Sequence, residues 1–291
     1  MTTKFYCSNI SKASKEQLVG SAPEISHLLL IEYSGFWPSN IEESTILSPY
    51  VNLIKDIKKM LPKFSIKLIK NSDTGKGKEL SQIFYYNKIL YSKKISLKQD
   101  LKFIFNSILN NDFSDKKQLF KPIYFICSHG IRDKCCAKFG LPIFNELNKE
   151  NENVWQVSHL GGHRFAPTML VLPSMNCYGH LEIKDLKDLI YLTNNNKILF
   201  NKWRGNSNFK SCKQVAIKSV LEINNLLIDD IVSVLTKQGQ DCLKVMIKFK
   251  TGIEYQELIK EVILESNDLS CNQNQIKIYK TWKLLHNKPV G

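Results

Sequence analysis

The sequence predicts an α/β protein with a small α+β unit at its C-terminal end. Three observations carry the prediction. Apolar runs of four to seven residues, the signature of buried strands, recur between residues 27 and 172. Between them stand segments whose apolar residues fall at helical spacing. Beyond residue 200 the pattern changes to cleanly alternating strands with a lysine face, beginning with Leu243–Phe249.

Taken in order, residues 1–20 form a polar lead-in with a helical turn around Ser14–Val19, broken by Pro23. His27–Tyr33 is a buried strand that ends at Gly35 and Trp37-Pro38. A helix follows over Ser48–Met60, with Val51, Leu53, Ile54, Ile57 and Met60 on one side, and Pro62 stops it. Phe64–Ile69 alternates as a strand. Asn71–Gly77 is a turn, because it lacks the spacing of a phosphate-binding loop. Gln82–Tyr86 and Lys88–Tyr91 pair as a hairpin, Leu97–Asn110 is a helix, and residues 111–121 are a polar linker.

Strand, helix, strand, strand, helix over residues 25–110 is close to half of a thioredoxin-like layout. The theme repeats: strand Ile123–Ile126, a helix around 142–149 opened by Pro142, strands Val154–Ser158 and Thr168–Leu172, and a helix over 183–195. The expected organisation is therefore two thioredoxin-like halves able to share one sheet. Residues 1–115 form a scaffold or docking half without ligands, and residues 116–200 carry the metal-type residues. Residues 201–291 form the α+β unit: a helix over Ser211–Thr236 broken near Asn224-Asn225, strand Leu243–Phe249, a helix over Glu254–Leu264 and strand Ile276–Trp282. Cys242 and Cys271 in that unit read as structural.

Chemistry concentrates in residues 121–180, which hold four of the six histidines and four of the eight cysteines. Cys127 and Cys136 are eight residues apart, counting those between, and His159 and His163 three apart. Cys127 and His159 each close an apolar run, where strands give way to loops that a sheet can place side by side. Gly161 and Gly162, between the histidines, permit positive φ and close approach of backbone to a bulky group. Two soft thiolates and two imidazoles suit either zinc or an iron–sulfur cluster. Structural zinc favours shorter Cys–Cys spacings, and a wider cluster accommodates the longer loop. A competing pattern exists: Cys127-Ser-His129 with Cys177-Tyr-Gly-His180 spells a Rieske site, although the segment is α/β. Cys135 adjoins Cys136, and neighbouring residues do not easily both turn to one metal.

Cys127-Ser-His-Gly-Ile-Arg-Asp-Lys-Cys-Cys136 followed by His159-Leu-Gly-Gly-His163-Arg-Phe-Ala-Pro resembles the sucrase/ferredoxin-like family. The resemblance extends to Gly20-Ser-Ala-Pro23, Leu29–Pro38 and Trp203-Arg-Gly205, over roughly residues 7–210. It implies a thioredoxin-like ferredoxin fold and a [2Fe–2S] cluster held by C-x8-C and H-x3-H. Carried onto this chain, the ligands are Cys127, Cys136, His159 and His163. His129, Arg132, Asp133, Cys135, Gly161, Gly162 and Arg164 are then the candidates for the ligands' immediate surroundings. The implied function is soluble one-electron transfer, with a zinc-stabilised Cys2His2 interaction protein as the alternative. Histidine ligation would set the potential in the range of about −150 to +300 mV. It would also make the potential fall as pH rises through the histidine pKa of the oxidised form. Nothing in the residues supports the word sucrase in the family's name.

The net charge is +14, yet only Arg132, Arg164 and Arg204 of the 41 basic residues are arginine. The lysines are dispersed and no nucleic-acid motif accompanies them, so the expected partners are a redox donor and acceptor, acidic if charge guides them. Arginine offers a planar fork that lysine lacks. The three are expected to pair with carboxylates such as Asp133 or to steady a negative cluster. No apolar run approaches the ~18 residues of a membrane span, and the N-terminus has no signal core. With eight cysteines pointing to metal or redox use, the expected location is the cytoplasm. No hydrolase signature, carboxylate pair or nucleotide fingerprint occurs, so a carrier is expected over a catalyst. A thiol oxidoreductase would need C-x-x-C, and a bond between Cys135 and Cys136 would be strained.

Overall fold

Apolar runs that alternate between two buried faces dictate the architecture. In a computed structural model, which describes residues 6–76, 79–112, 117–149, 153–267, 271 and 276–289, the chain folds as mixed α/β. The described helices are α1 (Cys7–Ala13), α2 (Val51–Met60), α3 (Leu97–Leu109), α4 (Lys134–Leu147), α5 (Leu186–Asn194) and α6 (Ser211–Asn224). The strands of the first half are β1 (His27–Glu32), β2 (Phe64–Lys70), β3 (Ser81–Tyr86), β4 (Leu90–Ile95) and β5 (Lys117–Leu119). Those of the second are β6 (Ile123–Cys127), β7 (Val154–Val157), β8 (Met169–Leu172), β9 (Asn176–Tyr178) and β10 (Trp203–Asn206). The C-terminal strands are β11 (Ile231–Gln238), β12 (Leu243–Phe249), β13 (Glu254–Asn267) and β14 (Ile276–Pro289).

The first ten strands form one sheet, in the order β10-β9-β8-β6-β7-β2-β1-β3-β4-β5. The repeat is explicit in this order. β2-β1-β3-β4-β5 and β7-β6-β8-β9-β10 use the same pairings: one parallel contact, then three antiparallel ones. The halves meet where β2 and β7 run antiparallel, Ile69 opposite Val157 and Lys70 opposite Gln156. This is an α/β architecture of the thioredoxin-like kind.

Both faces of the sheet are covered, which explains the uninterrupted apolar strands. In β1, Leu29 and Ile31 join the core beneath α2 and α3, while Leu28 and Leu30 join the opposite core. In β6, Phe125 and Cys127 face that second core, and Tyr124 and Ile126 face a third with α4, α5 and α6. The second sheet, β11-β12-β13-β14, packs its inward residues Val245, Ile247, Phe249 and Ile259 into the same core as α6.

Several expected elements are corrected. Glu254–Leu264, expected to be helical, is strand β13, because it pairs with β12 on one side and β14 on the other. Ladder pairing and the burial of Glu257 and Ile259 on one face outweigh helix-forming Leu, Glu and Lys. The expected helix 211–236 stops at Asn224, where Asn225 takes a left-handed φ of 50°, and its second half is β11. Helix α4 starts at Lys134, earlier than expected, with Pro142 inside it. Asp133 caps it by accepting from Cys135 N at 2.9 Å. Gly140 lets the helix press onto β6: a Cβ there would stand 2.0 Å from the Cys127 carbonyl oxygen. At the N-terminus the helix is Cys7–Ala13, not Ser14–Val19. The expected linker 111–121 contains β5, and β9 and β10 were not expected. Among the described residues, no helix is long and apolar enough to cross a membrane.

Candidate metal centre

β6 and β7 are parallel neighbours, so the loops after Cys127 and Val157 leave the same end of the sheet. The first loop leads into α4, whose opening turn returns Cys136 to Cys127. The second carries His159. The ligand atoms of Cys127, Cys136 and His159 all lie within 4.8 Å of one another, with Cys136 Sγ 3.6 Å from His159 Nδ1. Both thiols are buried, at 0% and 1% exposure, while His159 and His163 are half-buried.

His163 sits beside this triplet, its ring centroid 5.6 Å from that of His159. Its Nδ1 points the other way, 3.1 Å from Asp133 Oδ2 and 3.4 Å from Cys7 Sγ. A carboxylate beside Nδ1 favours the proton there and leaves Nε2 as the lone-pair nitrogen. Burial lowers the His163 pKa, and Asp133 opposes that shift.

Segments distant in sequence hold the loop in shape. Trp37 O accepts from His129 Nε2 at 3.1 Å, and His129 Nδ1 accepts from His159 N at 3.3 Å, so both ring nitrogens of His129 serve the backbone. Burial lowers its pKa. Gly161 and Gly162 both take positive φ, 82° and 68°. A Cβ on Gly162 would stand 2.2 Å from the Arg204 guanidinium. Arg204, 1% exposed, donates to Gly161 O at 3.1 Å, to Ser21 Oγ at 3.0 Å and to Ser21 O. Burial lowers its pKa to about 10, and Cys177, Cys127 and Cys136 resist that shift.

The thiols of Cys127 and Cys136 are pushed in opposite directions. A hydrogen bond from Cys136 is the first cause holding Cys127 well below the ordinary thiol range, with His159 adding to it. The same bond, together with burial, raises Cys136. The buried Arg204 guanidinium lies near enough to be influenced electrostatically by both sulfurs, an environment that accepts a negatively charged inorganic group.

The other expected neighbours divide. Cys135 turns away from Cys136, its Sγ 3.5 Å from Cys7 Sγ and 3.0 Å from Cys271 Sγ. Arg132 is exposed, with its guanidinium 3.5 Å from Ser39 Oγ. Arg164 pairs with Glu16 at 2.6 Å and lies over the Phe165 ring. The four residues of the Rieske-type spelling are dispersed. Cys177 Sγ contacts Ser207 Oγ at 3.2 Å, and His180 Nε2 contacts Ser11 Oγ at 3.4 Å. In the first half, the counterpart of Cys127 is Glu32, whose buried carboxylate accepts from Thr74 and from Gln82 N. The sequence reading did not assign Cys7 or Trp37 to the site. An Asp immediately before Lys-Cys-Cys, as a helix cap, was the available signal for the turn that splits Cys135 from Cys136.

A cleft of about 490 Å³ opens beside His159, lined by Lys58, Ile66, Lys67, His129 and Arg132 among others. Burial lowers the Lys67 pKa to about 8.

The sequence model of a family described as sucrase/ferredoxin-like matches residues 18–205, well over half of the chain and all four of Cys127, Cys136, His159 and His163. No curated protein and no solved structure matches the chain.

Proposed function

The chain belongs to the sucrase/ferredoxin-like family, and from that premise we propose that it is a one-electron carrier holding a [2Fe–2S] cluster on Cys127, Cys136, His159 and His163. The observation that carries this reading is the convergence of Cys127, Cys136 and His159 at one end of the sheet, with His163 alongside. A [2Fe–2S] cluster supplies a one-electron couple.

The residues present fit such a group. Cys127 and Cys136 offer buried sulfur that keeps water away. Arg204 places a fixed positive charge behind them. Asp133 holds the proton of His163 on Nδ1, which leaves Nε2 for a metal. The half-buried imidazoles form the way out to the surface, and the cleft with Lys58, Lys67 and Arg132 is where an acidic donor or acceptor docks. Eight cysteines that suit metal or redox use favour a reducing compartment such as the cytoplasm.

One observation favours a second reading. The 3.6 Å between Cys136 Sγ and His159 Nδ1 suits ligands of a single tetrahedral ion, so a zinc site without redox function is the alternative. Anaerobic purification followed by assay of iron, acid-labile sulfide and zinc separates them. About two irons and two sulfides per chain, lost on Cys127→Ser, support the carrier. Zinc lost on Cys127→Ser, with no sulfide, removes it.

A further inference from the structure

Away from the Cys127–Cys136 pair, three more cysteines meet. Cys7 comes from α1, Cys135 from the first turn of α4, and Cys271 from the connection between β13 and β14. Their sulfurs form a triangle: Cys7 to Cys135 3.5 Å, Cys135 to Cys271 3.0 Å and Cys271 to Cys7 3.5 Å. Cys7 and Cys135 are buried and Cys271 is half-buried. A carboxylate completes the group. Asp133 is 1% exposed, and the four ligand atoms lie within 4.8 Å of one another. Its Oδ1 is engaged by the Cys135 amide, while Oδ2 faces the Cys271 amide at 3.3 Å.

The set of groups selects among the uses of clustered thiols. A disulfide would consume two cysteines and leave the third, packed against the same carboxylate, unused. A tetrahedral ion uses all four. Around zinc, with bonds of about 2.3 Å, thiolate sulfurs stand about 3.8 Å apart. The two longer edges therefore need to open by a few tenths of an ångström and the Cys135–Cys271 edge by about 0.8 Å. Three soft sulfurs and one oxygen suit zinc better than a hard cation.

We propose that Cys7, Cys135, Cys271 and Asp133 form a zinc site, separate from the Cys127 centre, that fastens the two ends of the chain to the helix carrying Cys136. Cys7 and Cys271 are 264 positions apart, so the clasp closes almost the whole chain. Asp133 also touches His163, which makes this site the wall of the neighbouring centre. The inference does not depend on which metal the Cys127 centre holds.

The test is zinc content after exposure of the full chain to zinc and removal of loosely bound metal, for the wild type, Cys7→Ser, Cys271→Ser and Cys127→Ser. The expected result is about one zinc per chain that persists in Cys127→Ser, with at least a tenfold loss of retained zinc in Cys7→Ser and Cys271→Ser. X-ray absorption at the zinc edge of the wild type, which needs no variant to fold, is expected to show three sulfurs and one lighter neighbour. Zinc retained unchanged in Cys271→Ser, zinc absent from the wild type, a shell of two sulfurs and two nitrogens alone, or a Cys135–Cys271 disulfide in freshly isolated protein would each overturn the proposal.

Discussion

Asp133 Oδ2 lies 3.1 Å from His163 Nδ1, while Asp133 Oδ1 caps α4 just ahead of Cys136. One carboxylate thus aims an imidazole and starts the helix that delivers a thiol. Asp133→Asn keeps a capping oxygen but loses the charge that fixes the imidazole proton. It is expected to weaken iron retention by about 10–100-fold, measured as iron kept against a chelator series. Retention equal to wild type would count against this role.

Of the three arginines, Arg204 has the structural part. Arg204→Lys cannot reach Ser21 and Gly161 together, and it leaves a buried ammonium poorly satisfied. A loss of about 2–4 kcal/mol is expected, together with reduced iron content. Arg132→Lys, at an exposed position, should stay within about 0.5 kcal/mol. Thermal denaturation of the two variants side by side decides the matter.

His163→Cys exchanges an imidazole for a more electron-rich thiolate. The cluster should remain and its potential should fall toward that of four-cysteine ferredoxins. A redox titration that finds the wild-type potential in this variant would remove His163 from the ligand set.

Glu257, which belongs to neither candidate metal group, supplies a pH signal. It is fully buried on β13, and burial raises its pKa from 4.5 to about 7, with Ser219 partly opposing. The folded chain therefore keeps a proton that the unfolded chain releases near 4.5. Stability is highest below that pH and falls as pH rises toward about 7, by at most about 3 kcal/mol. Glu257→Gln should flatten this slope. The comparison is urea midpoints of variant and wild type at about pH 5 and about pH 8.

What was legible in the sequence was the part governed by local pattern. The run Ile123–Ile126 ending in Cys127, the helix Leu97–Leu109 and the strand Leu243–Phe249 appear where periodicity placed them. The repeat of the two halves was also legible, because each half spells the same order of elements. What escaped was governed by partners distant along the chain. Glu254–Leu264 has helix-forming residues and is held extended by strands on both sides. Helix α4 was hidden because Gly140 and Pro142 look like a boundary, whereas Gly140 serves close packing on Cys127. Cys7 sits outside the Cys- and His-rich stretch, and only folding brings it to Cys135. The arginine count did single out Arg204, but its partners are a serine and a glycine carbonyl, not a carboxylate.

The seam between β2 and β7 is short, only two residue pairs in register, yet both strands lie in mid-sheet. A fragment beginning near residue 116 would keep every proposed ligand of the Cys127 centre and lose its neighbour at that seam. β7, with Val154, Trp155 and Val157, would become a bare edge strand open to any other chain with an unpaired edge. Such a fragment is expected to pair with copies of itself or to precipitate, so the N-terminal half acts as a built-in guard against aggregation.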